Sequence, residues 1–86
     1  MNKSEIRKAV NKAVFEFAES LGYIIDDHGE GGRVTFTKPD AKTIDDSIEY
    51  SRSQQSTCTL NWASKAVKAD ETKIEKFIER IVKIIK

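Results

Sequence analysis

Two stripes of apolar residues at helical spacing bracket a middle section whose apolar residues alternate, and few folds accommodate that order. Near the start, Ile6, Val10, Ala13, Val14, Phe17 and Leu21 recur at three- and four-residue steps, so a helix over about 3–21 gathers them on one side. Asn2 or Ser4 can cap its first amides, and Gly22 follows the last apolar residue, where a left-handed stop is wanted. Near the end, Ile74, Phe77, Ile78, Ile81, Val82 and Ile85 form a second, broader stripe with Ile84 at its edge. This predicts a helix over about 70–85 with Asp70 as its cap. Phe15 does not join the first stripe: at about 100° per residue it falls on the far side, among Lys8, Lys12 and Glu19.

Between the stripes the period changes from helical to alternating. Tyr23-Ile24-Ile25 and Arg33-Val34-Thr35-Phe36-Thr37-Lys38 flank the polar, glycine-rich run 26–32, and Pro39 ends the second segment because it cannot donate to a ladder. These are the marks of an antiparallel hairpin. After a connection over 40–47, Ile48-Glu49-Tyr50-Ser51-Arg52 alternates again. The polar stretch 53–56 then leads into Thr57-Cys58-Thr59-Leu60-Asn61-Trp62. A second hairpin is expected, although Ile44 and Ile48, four residues apart, leave a short helix over 43–52 open.

The element string α-β-β-(β)-β-α has no βαβ alternation. It predicts an α+β fold over the single domain 1–86: a small antiparallel sheet of three or four strands, flanked by N- and C-terminal helices packed on one face. The helix side of that sheet would take Val34, Phe36, Ile48, Tyr50, Cys58, Leu60 and Trp62. Arg33, Thr35, Thr37, Glu49, Ser51, Thr57, Thr59 and Asn61 would form an open, hydroxyl-rich face.

Composition narrows the classes further. With 86 residues, 38% hydrophobic and 34% charged, the chain is of globular rather than disordered type, and close to the size below which a core needs staples. Its most apolar run, Ile81 to Ile85, is too short to cross a bilayer, the first residues lack a secretory apolar stretch, and the single cysteine excludes an internal disulfide. A cytoplasmic setting is expected. The net charge of +1 provides no global field for nucleic acid or membrane. It is unevenly spread, however: residues 1–12 carry Lys3, Arg7, Lys8 and Lys12 against Glu5, whereas residues 13–30 carry only Glu16, Glu19, Asp26, Asp27 and Glu30.

Catalytic chemistry is hard to assemble from this inventory. His28 is the only histidine, and although Asp26 and Glu30 stand beside it, a glycine-rich loop holds metal ligands poorly. Gly29, Gly31 and Gly32 lead into a strand, not into the helix amino terminus that a phosphate cradle needs. Cys58, alternating with apolar neighbours, reads as a buried small hydrophobe and not as a nucleophile. No catalytic residue, metal ligand or cofactor is assigned, and a non-enzymatic protein is expected.

The helix–strands–helix order resembles that of the double-stranded-RNA-binding domain and the related HicA-type toxins. The fragment Leu21-Gly22-Tyr23, followed by Phe36-Thr37-Lys38-Pro39-Asp40, is similar to the HicA pattern of Gly-Trp/Tyr and then Phe-x-x-Pro. The resemblance covers about 20 residues and implies a three-stranded sheet backed by two helices. Val34 and Thr35 stand where that family's catalytic histidine would be, so it implies no ribonuclease activity. Asp70-Glu71 replaces the basic pair that opens the last helix of the RNA-binding domains.

The function expected from these residues is that of a small binding protein of accessory or inhibitor type. It would act by protein–protein contact through Phe15, Lys8 and Lys12 and through Thr57, Thr59 and Asn61 of the open face, with a second copy of the chain among the candidate partners. The alternative is a nucleic-acid-binding module using the basic stripe Lys73, Lys76, Arg80 and Lys83, which spans an arc of about 80° on the last helix.

Overall fold

The computed structural model describes residues 2–27, 32–40, 46–59 and 63–85. Two helices and four strands follow one another as α1 (Lys3–Ser20), β1 (Ile24–Asp27), β2 (Arg33–Thr37), β3 (Ser47–Ser51), β4 (Ser56–Thr59) and α2 (Lys65–Ile85). The strands form one antiparallel meander in the order β1-β2-β3-β4. This is the expected α+β class with four strands, one more than the resemblance to the RNA-binding domain implies. Residues 47–51 are strand, which settles the described part of 43–52; residues 41–45 lie outside the description.

Helix α1 begins where the sequence places it. The Asn2 side chain accepts the Glu5 amide at 2.9 Å and donates to the Glu5 carboxylate at 3.2 Å, so each residue satisfies the other at the helix start. At its other end Gly22 adopts φ +95, and the Gly22 and Tyr23 amides donate back to the Glu19 and Ala18 carbonyls. That pair of bonds closes the last turn in a geometry a side chain would resist.

Helix α2 starts five residues before the expected position. Ser64 caps it, its hydroxyl accepting the Val67 amide and its carbonyl accepting the Lys68 amide. Asp70 is therefore not a cap. It lies within the second turn and accepts the Tyr23 hydroxyl at 2.7 Å, a tie between the entrance of β1 and α2 that outweighs its low helix propensity.

The core lies between one sheet face and the two helices. Val34, Phe36, Ile48 and Tyr50 are buried from the sheet, Val10, Val14 and Ala18 from α1, and Val67, Ile74 and Ile78 from α2. Phe36 and Tyr50 stack at 5.5 Å, and the Tyr50 hydroxyl donates to Asn11 at 2.6 Å. Burial pushes the Tyr50 phenol up to about 12, so it stays a neutral donor.

The contact arc of α1 is wider than its apolar stripe because the helix meets two neighbours. Phe17 stacks on Phe77 of α2 at 4.4 Å, while Asn11 and Phe15 meet the sheet. The buried positions Val10, Val14 and Ala18 turn the helix by about 50° toward Phe15 relative to the stripe's centre. Phe15 is accordingly not opposite the core. Its ring stands edge-on to Phe36 at 6.1 Å and to Tyr50 at 5.8 Å.

Strand β4 reverses the expected phase. The register sets Tyr50 against Thr57 and Ile48 against Thr59, and directly opposed residues share a face, so both threonines point toward the helices. Cys58, opposite Glu49, lies on the open face and is exposed. The cause is the connecting turn 52–55: Gln55 adopts φ 52 and donates its amide to the Ser51 carbonyl at 2.7 Å, which fixes Ser51 against Ser56. A one-residue difference in register moves every side chain of a strand to its other face. Leu60, Asn61 and Trp62, expected to continue this strand, lie outside the described residues.

Candidate partner-binding surface

The half-buried Phe15 ring is the floor of an open concavity of about 510 Å³. Lys8, Asn11, Lys12, Glu16 and Glu19 of α1 and Arg52 from the β3–β4 turn line it. The ring is held from below by Phe36 and Tyr50, and Asn11 by the Tyr50 hydroxyl, so the floor is fixed by the core itself. Arg52 is committed to Asp27 at 2.8 Å. Lys8, Lys12, Glu16 and Glu19 make no ion pair with a described residue. The structure thus brings together Phe15, Lys8 and Lys12, three of the residues singled out from the sequence. Asn11 is an omission that helical spacing could have supplied, since it lies four residues before Phe15. Arg52 has no such signal, because only the sheet's turn brings it there.

The other expected contact residues separate from this group. The open sheet face carries Arg33, Glu49, Ser51, Ser53, Gln54, Ser56 and Cys58 around a shallow polar hollow of about 380 Å³, with Arg33 and Glu49 paired at 3.5 Å. Thr57 and Thr59 are not part of it. The Thr57 hydroxyl donates to Glu75 of α2 at 3.0 Å, and the hydroxyl and amide of Thr59 serve Glu71 one turn earlier. The threonine side of β4 is the receptor for two glutamates of α2, which is why polar residues face inward there. Asn61 lies outside the described residues.

That seam is imperfect. Burial and then the neighbouring Glu75 raise the Glu71 pKa above the usual glutamate value, more than Thr59 and Lys68 lower it, and Glu71 Oε2 is buried without a hydrogen-bond partner among the described residues. A carboxyl whose pKa is raised by folding contributes stability fully below its unfolded value, about 4.3, and loses it as pH rises through the folded value. Glu71→Gln, neutral throughout, is therefore expected to melt higher than wild type at pH 7 and to flatten the stability loss above about pH 4.3. Thermal melts of both proteins across pH check this; parallel curves would show that Glu71 carries no folding penalty.

The basic stripe of α2 is exposed at Lys73, Lys76, Arg80 and Lys83. Lys73 reaches Asp70 at 3.7 Å. Lys73, Lys76 and Arg80 border a small groove of about 210 Å³ whose floor is the stacked pair Phe17 and Phe77. The pairing of these two rings across the helices has no local signal in the sequence.

Among the described residues no group of three or more His, Cys, Asp or Glu side chains could hold a metal ion, and no helix is long and apolar enough to cross a membrane. His28 and Glu30 lie outside the description. Compared with known proteins, the chain matches no family model, no curated protein and no solved structure.

Proposed function

We propose that this chain is a small, non-enzymatic cytoplasmic binding protein that acts by contact with another protein through the outer side of α1. One observation carries the reading: an aromatic ring, Phe15, forms the floor of an open concavity while its underside is braced by two buried aromatic rings. Braced aromatics in water-accessible hollows suit interface anchors, because little side-chain entropy remains to be lost on binding. The surrounding Lys8, Lys12, Glu16 and Glu19, without an ion-pair partner among the described residues, supply the charged rim that fixes register and partner choice.

The test is capture by the immobilised full chain from a lysate of the cells that make it, with and without nuclease. Protein retention that survives nuclease and is lost with Lys12→Glu supports the proposal. Retention that nuclease removes, or that Lys12→Glu leaves intact, overturns it.

The second reading, a nucleic-acid module on α2, is favoured by the Phe17–Phe77 floor beside the cations, since single-strand binders combine basic grooves with aromatic platforms. With Lys73 tied to Asp70, Lys76, Arg80 and Lys83 have no ion-pair partner among the described residues. They give a log–log salt slope of about −0.9 × 3, so affinity for a single strand should fall roughly 40-fold between about 50 and 200 mM salt. Titration of a labelled oligonucleotide reads this directly. No binding at low salt, or binding unaffected by Lys76→Glu with Arg80→Glu, removes the second reading.

A further inference from the structure

The outer side of α1 is self-complementary in charge. Going along the helix, its rim carries two cations, Lys8 and Lys12, then Phe15, then two anions, Glu16 and Glu19, all within about 100° of arc. A second α1 laid antiparallel across it reverses that order. Lys12 then meets Glu16 of the other copy and Lys8 meets Glu19, because the two pairs have nearly the same midpoint, at residue 14 and just before it. Phe15 lies a residue or two from that midpoint, about 2 Å along the axis, so the two rings approach each other at the centre.

An isologous two-fold contact demands this of a surface: each residue must suit its counterpart's neighbourhood in both directions at once. The four charges are without ion-pair partners among the described residues of one chain, while the remaining charge of the concavity, Arg52, is already paired with Asp27. Glu5 also lies on this side, but it is held at the amino end by Asn2, and in the antiparallel pairing it falls opposite residues 22–23, past the end of the other α1.

We infer that the Phe15 concavity is the interface of a two-fold homodimer in which the α1 helices pack antiparallel, with Lys12–Glu16 and Lys8–Glu19 pairs crossing between copies. The inference rests on the proposed protein-contact role of this surface and names its partner, a second copy of the chain.

Charge exchange tests it without touching the core, since Lys12 and Glu16 are both exposed. Sedimentation equilibrium of the wild-type chain should show a concentration-dependent dimer. Lys12→Glu sets like charges against Glu16 twice across the axis and should weaken the dimer about 100-fold or more, as should Glu16→Lys. Mixing the two single variants restores both pairs, so equimolar mixing should recover a heterodimer that neither forms by itself. The doubly exchanged variant should dimerise as wild type does. Far-ultraviolet circular dichroism of each variant verifies that α1 is intact.

A wild-type chain that stays monomeric to about 1 mM overturns the dimer, as do single reversals that leave it unchanged or a mixture that fails to recover it. In each of these cases the capture experiment with Lys12→Glu still decides whether the surface binds a different protein, so the two readings fail separately.

Discussion

Phe36→Ala is expected to cost about 3–5 kcal/mol, a large part of the ~5–15 kcal/mol that holds a domain together. Phe36 is fully buried, stacks on Tyr50 at 5.5 Å with an interplanar angle of 20°, and receives the edge of Phe15 at 6.1 Å. Truncation removes the centre of this three-ring cluster, and neither β2 nor β3 can shift to fill the space without breaking the register that pairs Phe36 with Ile48. The urea midpoint should fall steeply with little change in slope. A near-wild-type midpoint would mean that the aromatic cluster is not the keystone of the core. The cluster also supports Phe15, so partner binding should fall with stability in this variant.

The second large effect is expected at the Tyr23–Asp70 bond. The Tyr23 ring is 3% exposed and its hydroxyl donates to the Asp70 carboxylate at 2.7 Å, joining the start of β1 to α2 across 47 positions of sequence. Burial, and then Asp70 itself, drives the Tyr23 pKa well above the usual tyrosine value, so the phenol remains a donor at any ordinary pH. Hydrogen bonds to charged groups contribute about 1.5–3 kcal/mol, and removing the acceptor leaves a buried donor unsatisfied. Asp70→Ala should therefore destabilise by about 1.5–3 kcal/mol. Tyr23→Phe should cost less, because Asp70 retains Lys73 at 3.7 Å. Denaturant unfolding of both single variants and the double variant checks this. Additive losses would show that the two groups do not interact.

Where one local rule governed an element, the sequence was a sufficient guide. The extent of α1 follows from the Asn2 cap, the helical stripe and the Gly22 stop, and the phase of β2 and β3 follows from four large residues, Val34, Phe36, Ile48 and Tyr50, that have nowhere else to go. Strand β4 failed because the described strand, Ser56–Thr59, contains no large apolar residue to fix its phase. A turn with Gln55 in a left-handed conformation and two glutamates on α2 decided it instead. The start of α2 was missed because Asp70 looks like a cap, while its actual partner, Tyr23, is remote in sequence.

The candidate site was legible in part for the same reason. Phe15, Lys8 and Lys12 share one helix, whose period places them together. What braces Phe15 from below, and what brings Arg52 beside it, depends on tertiary packing that helical period does not encode. The ring is packed on one side and open on the other, and that combination suits a preorganised contact surface.

Three surfaces compete for the function: the outer side of α1, the open sheet face and the basic stripe of α2. The most direct comparison places one exposed charge reversal on each, namely Lys12→Glu on α1, Arg33→Glu on the sheet and Lys76→Glu on α2, and measures retention of the captured partner by each folded variant. A contact through the outer side of α1 requires that Lys12→Glu lose the partner while Arg33→Glu and Lys76→Glu keep it. Loss through Arg33→Glu or Lys76→Glu, with Lys12→Glu binding as wild type does, would contradict it.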